Sequence, residues 1–203
     1  MSKSRKKTGC ESCMIAFRDE DGINFAAPVP MKDLEELSYT YTYAEAGNNA
    51  DNIQNIYLKK PTGADISLTF SDVLSELVAK ILGKGYNKGG IRTNVSDKAP
   101  EVAILFKETY SDGSYKNKVF YNVKLAMDEN SAKSEGSENI EFTPAILTGK
   151  ALPYFNEGKK IKGDIDFTMD SAASGVDKSA LENFFKAVPF YTEPEDLHLK
   201  SKK

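Results

Sequence analysis

The sequence predicts a mainly β protein that carries one or two helices. Runs in which apolar and polar residues alternate, typical of half-buried strands, recur along most of its 203 residues. Apolar stripes at helical spacing occur in only two places. Between two β-like runs, the dipeptide Asp112-Gly113 is a strong hairpin signal, because the turn needs residues that tolerate a positive φ.

Three strand regions are predicted in the first half of the chain. Met14 to Phe17 and Ile23 to Ala26 flank a charged turn, which predicts a hairpin. In Ser38 to Tyr43, tyrosines alternate with serine and threonine, so the strand has an aromatic and a hydroxyl face. These tyrosines could stack on a sugar or a base, but core or interface positions are favoured for tyrosine in half-buried strands. Asp65 to Phe70 alternates in the same way.

The second half of the chain predicts further strands. Val102 to Tyr110 and Tyr115 to Leu125 form the two arms of the Asp-Gly hairpin. In the second arm, four residues are expected to share one face: Val119, Tyr121, Val123 and Leu125. Its leading proline limits Pro144 to Leu147 to a sheet edge or a bulge. Ile161 to Met169 alternates most cleanly and predicts one half-buried strand.

The first predicted helix runs from Asp72 to Leu82. Its apolar stripe consists of Val73, Leu74, Leu77, Val78, Ile81 and Leu82. Ser71 or Asp72 can cap its N-terminus, and Gly83 can end it in the left-handed conformation. The cluster Gly83 to Gly90 is predicted to be a cap and turn, since a phosphate-binding loop precedes its helix and this cluster follows one.

A second helix is predicted near the C-terminus. Its stripe consists of Leu181, Phe184, Phe185 and Val188. Asp177 can cap it, and Pro189 stops it. Ala44 to Pro61 and Asp128 to Glu138 show no such pattern and are predicted to be long loops, which are usually functional or disordered.

The charge balance excludes a general affinity for nucleic acid. The chain has 27 basic and 30 acidic residues and a net charge of −3, whereas phosphate binding needs a concentrated basic surface. Residues 1–13 form a basic arm and residues 190–203 a polar tail, either solvated or ordered against a neighbour. The first apolar run is too short for a signal peptide, and no run could span a bilayer. We therefore expect a soluble protein made in the cytoplasm, without membrane contact.

Few side chains could support catalysis or bind a metal. Cys10 and Cys13 are spaced C-x-x-C, but a zinc site needs four ligands and the one histidine, His198, lies at the other end. Incidental reduced thiols are expected, with an intermolecular or metal role as the alternative. Asp164 and Asp166 could bind a metal or act in acid–base chemistry, although their alternation with polar neighbours favours a solvated face. We expect no catalytic residue, no cofactor and no metal.

The order of elements from Met14 to Val188 resembles that of the major tail protein (tail tube protein) family of long-tailed, siphovirus-type phages of Gram-positive bacteria. The similar features are the N-terminal hairpin, Tyr43-Ala44-Glu45-Ala46, Asp65 to Phe70 with its helix, Leu82-Gly83 to Gly89-Gly90, Asp97 to Ala103, Phe120 to Leu125, Glu141-Phe142-Thr143-Pro144 and the Phe184-Phe185 helix. The basic, cysteine-containing arm before Glu11 departs from the family pattern.

The resemblance implies a β-sandwich or barrel-like domain of two packed sheets with a flanking α-helix, over residues 14–189. It implies a virion structural protein and no enzyme. Six copies would form a ring, and rings would stack into a tail tube that conducts the genome into the host. Partners would be further copies of the chain and the tape measure, terminator and distal tail proteins. Genomic DNA would pass through the lumen without specific binding.

The segment Ala44 to Pro61 is the candidate for contacts between subunits or rings. The candidate contact residues are Tyr43, Glu45, Gly47, Asn48, Asn49, Asp51, Asn52, Ile53, Ile56 and Tyr57. Three alternatives remain: a β-sandwich module that binds carbohydrate or protein, a hydrolase that uses Asp164 and Asp166, and a tail terminator or distal tail ring.

Overall fold

The computed structural model describes residues 4–50, 53–127 and 144–192, apart from the side chains at 48–50 and 53–56. The mainly β class with a flanking helix is confirmed. The strands are β1 (Lys7–Phe17), β2 (Val29–Pro30), β3 (Leu34–Ala50), β4 (Ile53–Phe70), β5 (Gly85–Asn87), β6 (Gly90–Arg92), β7 (Val102–Tyr110), β8 (Tyr115–Ala126), β9 (Ala145–Ala151), β10 (Tyr154–Asn156), β11 (Ile161–Asp164) and β12 (Asp166–Asp170). The helices are α1 (Ser75–Ile81) and α2 (Lys178–Asn183). No helix in the described ranges is long and apolar enough to cross a membrane.

Eight strands form one antiparallel sheet in the order β2-β1-β7-β8-β9-β4-β3. The eighth strand, β12, pairs with residues 116–120 of β8, whereas β9 pairs with residues 123–126 of the same strand. Two small hairpins, β5–β6 and β10–β11, lie outside this sheet. Thus β8 is the strand at which the sheet divides.

The sheet curls into a barrel-like shape. Tyr39 of β3 lies against Phe106 of β7 and Phe120 of β8, with ring centroids 6.1 and 5.1 Å away, although β3 and β7 are far apart in the strand order. The inner core is apolar and includes Ile15, Ile66, Leu68, Phe70, Ile104, Phe106, Phe120 and Leu147. Helix α1 adds Ile81 to this core and lies at the end of the barrel where β4 finishes, which we call the helix end.

A second apolar cluster covers part of the outer face of the sheet. It combines residues of β1, β7 and β8 with residues of the C-terminal layer, namely Ala16, Ala103, Leu105, Val119, Tyr121, Tyr154, Ile161 and Phe184. Phe190 stacks on Tyr121, with ring centroids 5.4 Å apart, and the Tyr121 hydroxyl donates to the Pro189 carbonyl at 2.6 Å. The segment after β9 therefore completes the fold by covering an apolar sheet face.

A bulge in β8 overturns one sequence prediction. Val102 is opposite Val123 but Ile104 is opposite Phe120, so β8 contains one residue more than β7 here. The extra residue is Asn122, whose φ of 48° is left-handed. Val119 and Tyr121 consequently face the outer layer, whereas Val123 and Leu125 face the inner core. The prediction that these four residues share one face was wrong, because a bulge reverses the alternation.

Two strand predictions need correction. The run after Pro144 is β9, an interior strand between β8 and β4, and not an edge. Pro144 precedes the first paired residue, so its missing N–H costs no sheet hydrogen bond. The run Ile161 to Met169 forms two strands and not one, since β11 pairs with β10 and β12 pairs with β8. Gly163, with a φ of 110°, lies in β11 just before this division.

The helix predictions hold in part. α1 is shorter than predicted, and its N-cap position is Leu74, which makes no side-chain cap, so the expected cap by Ser71 or Asp72 was wrong. Gly83 has a φ of 65°, as predicted. In α2 the Asp177 carboxylate accepts a hydrogen bond from the Ala180 N–H at 3.1 Å, which confirms the predicted cap.

The segment Ala44 to Pro61 is not a loop. β3 and β4 pair along its described residues, from Tyr43 opposite Pro61 to Ala50 opposite Ile53. The polar sequence hid this pairing, because a two-stranded ribbon with no buried face needs no apolar alternation. The other predicted loop, residues 128–138, lies outside the described residues.

The basic N-terminal arm is largely a strand. Lys7 begins β1, which pairs with β7 along its length. In the predicted hairpin, Ile23 to Ala26 contributes one isolated bridge, between Phe25 and Arg18, the residue after β1. The strand that pairs with β1 at Met14 is β2. Most of the predicted tail, residues 193–203, lies outside the described part of the chain.

The bulge predicts the response to substitution at Asn122. We expect Asn122→Val to lower the free energy of unfolding by about 2 kcal/mol, because a β-branched residue is disfavoured at positive φ. Asn122→Gly should change it by less than about 1 kcal/mol, because glycine accepts this conformation. Urea denaturation followed by circular dichroism measures both, and equal destabilisation by the two variants would contradict the strain at this bulge.

Candidate assembly surface

Residues 43–50 pair with residues 53–61, and we call the segment of residues 43–61 the β3–β4 arm. β4 pairs with β9 only from Ala64 onward, and β3 pairs with no described strand other than β4. Within the described residues, the arm is thus a two-stranded ribbon with both outer edges unpaired. Such a ribbon is marginally stable alone, and its free N–H and C=O groups can pair with another chain.

A bulge at the base of the arm determines which residues share a face. Thr42 is opposite Gly63 and Tyr43 is opposite Pro61, so Thr62 is an extra residue in β4. Before the bulge, Tyr41 and Ala64 pack on the inner core. Beyond it, the same face continues onto the arm as Tyr43, Glu45, Tyr57 and Lys59. The inner face of the barrel therefore extends onto a ribbon that has no covering layer in this chain.

The side chains on this face contact one another. Lys59 Nζ lies 2.8 Å from Glu45 Oε1 and 4.5 Å from the centre of the Tyr43 ring. Hydrogen bonds from Lys59 and Tyr57 lower the pKa of the Glu45 carboxyl. Tyr57 lies opposite Gly47, where an aromatic ring can cover the exposed glycine backbone. All four side chains are exposed, so these contacts orient the face more than they stabilise the fold.

The arm also exposes apolar surface. Tyr43, Tyr57 and Leu58 are 45%, 55% and 64% exposed. A cluster of exposed large apolar side chains on a protruding ribbon is typical of a protein interaction site.

The ten candidate contact residues fall into three groups. Tyr43, Glu45, Gly47 and Tyr57 are described in full and share the face given above. Asn48, Asn49, Ile53 and Ile56 lie in the paired strands, and nothing is described of their side chains. Asp51 and Asn52 lie outside the described residues. That these residues contact a neighbouring subunit remains a prediction.

A buried lysine anchors the base of the arm to the barrel. Lys118 of β8 is 6% exposed, and its Nζ lies 2.7 Å from the Tyr41 hydroxyl and 3.0 Å from Asp166 Oδ2. The same ammonium lies 4.5 Å from the centre of the Tyr39 ring and 5.1 Å from that of Phe120. One cation therefore holds together β3, β8 and β12. No sequence signal revealed it, since an isolated lysine in a strand is usually exposed.

The tyrosine hydroxyls take part in a larger polar network. Burial raises the pKa of Tyr39 to about 12 and also raises that of Tyr41, so both remain protonated donors at neutral pH. Tyr39 donates to Glu108 at 3.1 Å, and Lys7 Nζ lies 2.5 Å from the same carboxylate. Burial would raise the pKa of Glu108, but the bonds from Lys7, Tyr39 and Tyr110 lower it. The prediction of core or interface positions is confirmed in the core for Tyr39 and Tyr41.

Arg5, near the N-terminus, is bound at the same end of the barrel as the base of the β3–β4 arm. This end lies opposite the helix end, and we call it the arm end. The Arg5 guanidinium donates to Ser114 Oγ at 3.0 Å and to both carboxylate oxygens of Asp170. It also lies 4.7 Å from the centre of the Tyr110 ring. The hydrogen bond from Arg5 is the main cause that lowers the pKa of Asp170 to about 2. Arg5 is thus ordered against its own sheet, contrary to the expectation of a solvated arm.

The other sequence candidates form no site. Asp166 is engaged by Lys118, so the prediction of a solvated Asp-x-Asp face was wrong for this residue. A bulge at Ser12 places Cys13 toward the core, where burial raises the pKa of its thiol to about 12. Cys10 is half-buried, and both thiols are free. No group of three acidic, histidine or cysteine residues within the described ranges could hold a metal ion.

Replacement of the buried lysine should be costly. We expect Lys118→Met to lower the free energy of unfolding by about 3 kcal/mol, because it leaves Asp166 partly buried without its cation. The double variant Lys118→Met, Asp166→Asn should recover part of that loss. The control Lys124→Met removes an exposed lysine of the same strand and should cost less than about 0.5 kcal/mol. Equal urea midpoints for the Lys118 and Lys124 variants would contradict the anchoring role.

The N-terminal ion pair predicts a defined acid response. The pKa of the Asp170 carboxyl is about 3.9 in the unfolded chain and about 2 in the folded protein. The ionised carboxylate therefore stabilises the folded protein above pH 4, and this contribution is lost as the pH falls from about 4 to 2. We expect Asp170→Asn to lower the melting temperature at pH 6 and to have no effect near pH 2. Melting curves from pH 6 to 2 test this, with Asp65→Asn in an exposed ion pair as the control. A difference in melting temperature between Asp170→Asn and the wild type that persists unchanged to pH 2 would contradict this prediction.

Comparison with solved structures finds several similar chains, among them two of the anti-feeding prophage. The chain is similar to the anti-feeding prophage cap, the tube terminating cap of that particle, with 14% identity over 79% of this chain and 89% of that chain and a TM-score of 0.36. It is similar to a chain of the 6-fold symmetrised anti-feeding prophage baseplate, with 9% identity over 85% of this chain and 100% of that chain and a TM-score of 0.38. No protein-family model and no curated protein matches the chain.

Proposed function

We propose that this chain is a structural subunit of a phage virion, the major tail protein that forms hexameric rings stacked into a tail tube. The β3–β4 arm carries the proposal. It continues the inner face of the barrel beyond the domain, leaves two strand edges unpaired and exposes three large apolar side chains. A ribbon of this kind gains most of its stability by packing on a neighbour, which favours a protein that works in an assembly.

Two further observations support a role in a tail tube. The order of elements resembles that of the tail tube family from Met14 to Val188. The net charge of −3 suits a conduit for DNA, because a strongly basic lumen would bind phosphates by counterion release and slow the passage of the genome. Within this proposal, the partners are other copies of the chain and the tape measure, terminator and distal tail proteins. The subunit is made in the host cytoplasm and resides in the virion tail.

One alternative is favoured by a specific observation. Tyr43 and Tyr57 share an exposed face, as the aromatic residues of a module that binds carbohydrate or protein would. A second alternative is closer to the tail tube proposal. It is a terminator or distal tail protein, which would form single rings and no tube.

Removal of the tip of the arm tests the proposed function. We expect purified wild-type protein at high concentration to form rings or tubes of uniform width in negative-stain electron micrographs. Deletion of Gly47 to Asn55 should abolish them, because it removes the tip of the unpaired ribbon and leaves the barrel core in place. Circular dichroism and urea denaturation should show that the deletion variant is still folded.

The possible outcomes separate the candidate functions. Normal tubes from the deletion variant would show that the tip of the arm is not the contact. Single rings from the wild type would support the terminator or distal tail alternative. Dispersed monomers of the wild type that bind glycans would support the binding module.

A further inference from the structure

A second surface, at the helix end of the barrel, has the character of a binding groove. It has a volume of about 550 Å³ and is lined by Phe17, Val29, Pro30, Leu74, Leu77 and Tyr86, with Glu76 and Lys80 among its polar residues. Val29, Leu74 and Tyr86 are 40%, 75% and 40% exposed, so apolar surface is open to solvent here. We call this surface the α1 groove.

The arm of a chain cannot reach the α1 groove of the same chain. The groove lies where β4 ends at Phe70 and α1 begins, whereas the arm lies at the start of β4. At about 3.3 Å per residue, the strand from Leu58 to Phe70 spans roughly 40 Å. Arm and groove therefore occupy opposite ends of the same pair of strands. A contact between them must join two copies of the chain.

One face of the arm fits an apolar groove. Ala46 is opposite Leu58 and Ala44 is opposite Lys60, so these four residues share the face that does not carry Glu45 and its partners. Leu58 is 64% exposed and is flanked by small alanine side chains. Small residues around one large apolar side chain allow a close approach to a surface with a recess.

The charges beside the two surfaces are also complementary. Lys60 lies two residues from Leu58 on the same face of the arm, and it is exposed. Glu76 of the α1 groove is exposed as well. The groove lysine, Lys80, already lies over the Phe17 ring at 4.3 Å. With Leu58 in the groove, Lys60 comes near Glu76, and opposite charges at the rim orient the contact.

We propose that the α1 groove of one copy receives the β3–β4 arm of a second copy, with Leu58 in the apolar recess and Lys60 beside Glu76. The inference rests on the proposed function and deepens it by naming the acceptor surface. Because donor and acceptor surfaces lie at opposite ends of the barrel, the contact is head-to-tail and repeats along the strand direction. Within the proposed tail tube, it joins successive layers of the assembly.

Directed disulfide exchange between two proteins, each with one introduced cysteine that is exposed, tests the contact. Both carry Cys10→Ser, and the buried Cys13 is retained. One protein carries Glu76→Cys as its thionitrobenzoate mixed disulfide. The other carries Lys60→Cys, whose thiolate attacks the protein-borne sulfur, forms the inter-chain disulfide and releases thionitrobenzoate, which is measured by its absorbance. We expect at least about tenfold faster release than for a Lys162→Cys partner, because docking raises the effective concentration of the thiol.

Controls on the arm and in micrographs distinguish the possible failures. Lys162 is exposed on β11, outside both surfaces, and serves as the matched lysine control. Adding Leu58→Glu to the Lys60→Cys protein should reduce the rate to that of this control. Tubes in micrographs together with a rate no higher than the control would overturn the α1 groove as acceptor and leave the proposed function standing. Neither tubes nor fast exchange would overturn both.

Discussion

The arrangement of strands around the arm depends on one buried cation. Lys118 lies on the inner face of β8, at the strand where β9 and β12 diverge, and it contacts Tyr41 of β3 and Asp166 of β12. A lysine in this position is stable only because a carboxylate, a hydroxyl and aromatic faces surround its ammonium group. The ladder with β4 fixes the register of β3, and the cation with its directional partners fixes where this strand pair leaves the core. The arm begins two residues beyond that contact, so its direction is set by the same interaction.

Bulges are the second constraint. Extra residues at Ser12 in β1, Thr62 in β4 and Asn122 in β8 each reverse the alternation of a strand at one point. Without the bulge at Thr62, the inner face of the core would not continue onto the arm as Tyr57 and Lys59. Without the bulge at Asn122, Val123 and Leu125 would face the C-terminal layer. In this fold, the position of a single inserted residue decides whether an apolar side chain fills the core or reaches solvent.

These constraints also explain what the sequence could predict. Where one face of a strand is buried, alternation and turn residues sufficed, as for the β7–β8 hairpin, the end of α1 at Gly83 and the cap of α2 at Asp177. The strands of the arm were missed because neither face is buried within the chain, so no periodic apolar signal exists. The Lys118 cluster was missed because its members are far apart in sequence and each is ordinary in its own strand. The interior position of β9 was missed because only the partners of a strand reveal whether it lies at an edge.

The two sides of the main strand order differ in what they offer to a neighbour. One ends in β2, two residues long, and Pro30 has no N–H to donate. The other ends in β3, 17 residues long. A further strand can add along the whole of β3, whereas on the first side it meets only β2 and the part of β1 that β2 leaves unpaired. Growth by edge pairing would consequently favour the β3 side, so that a polarity is built into each monomer.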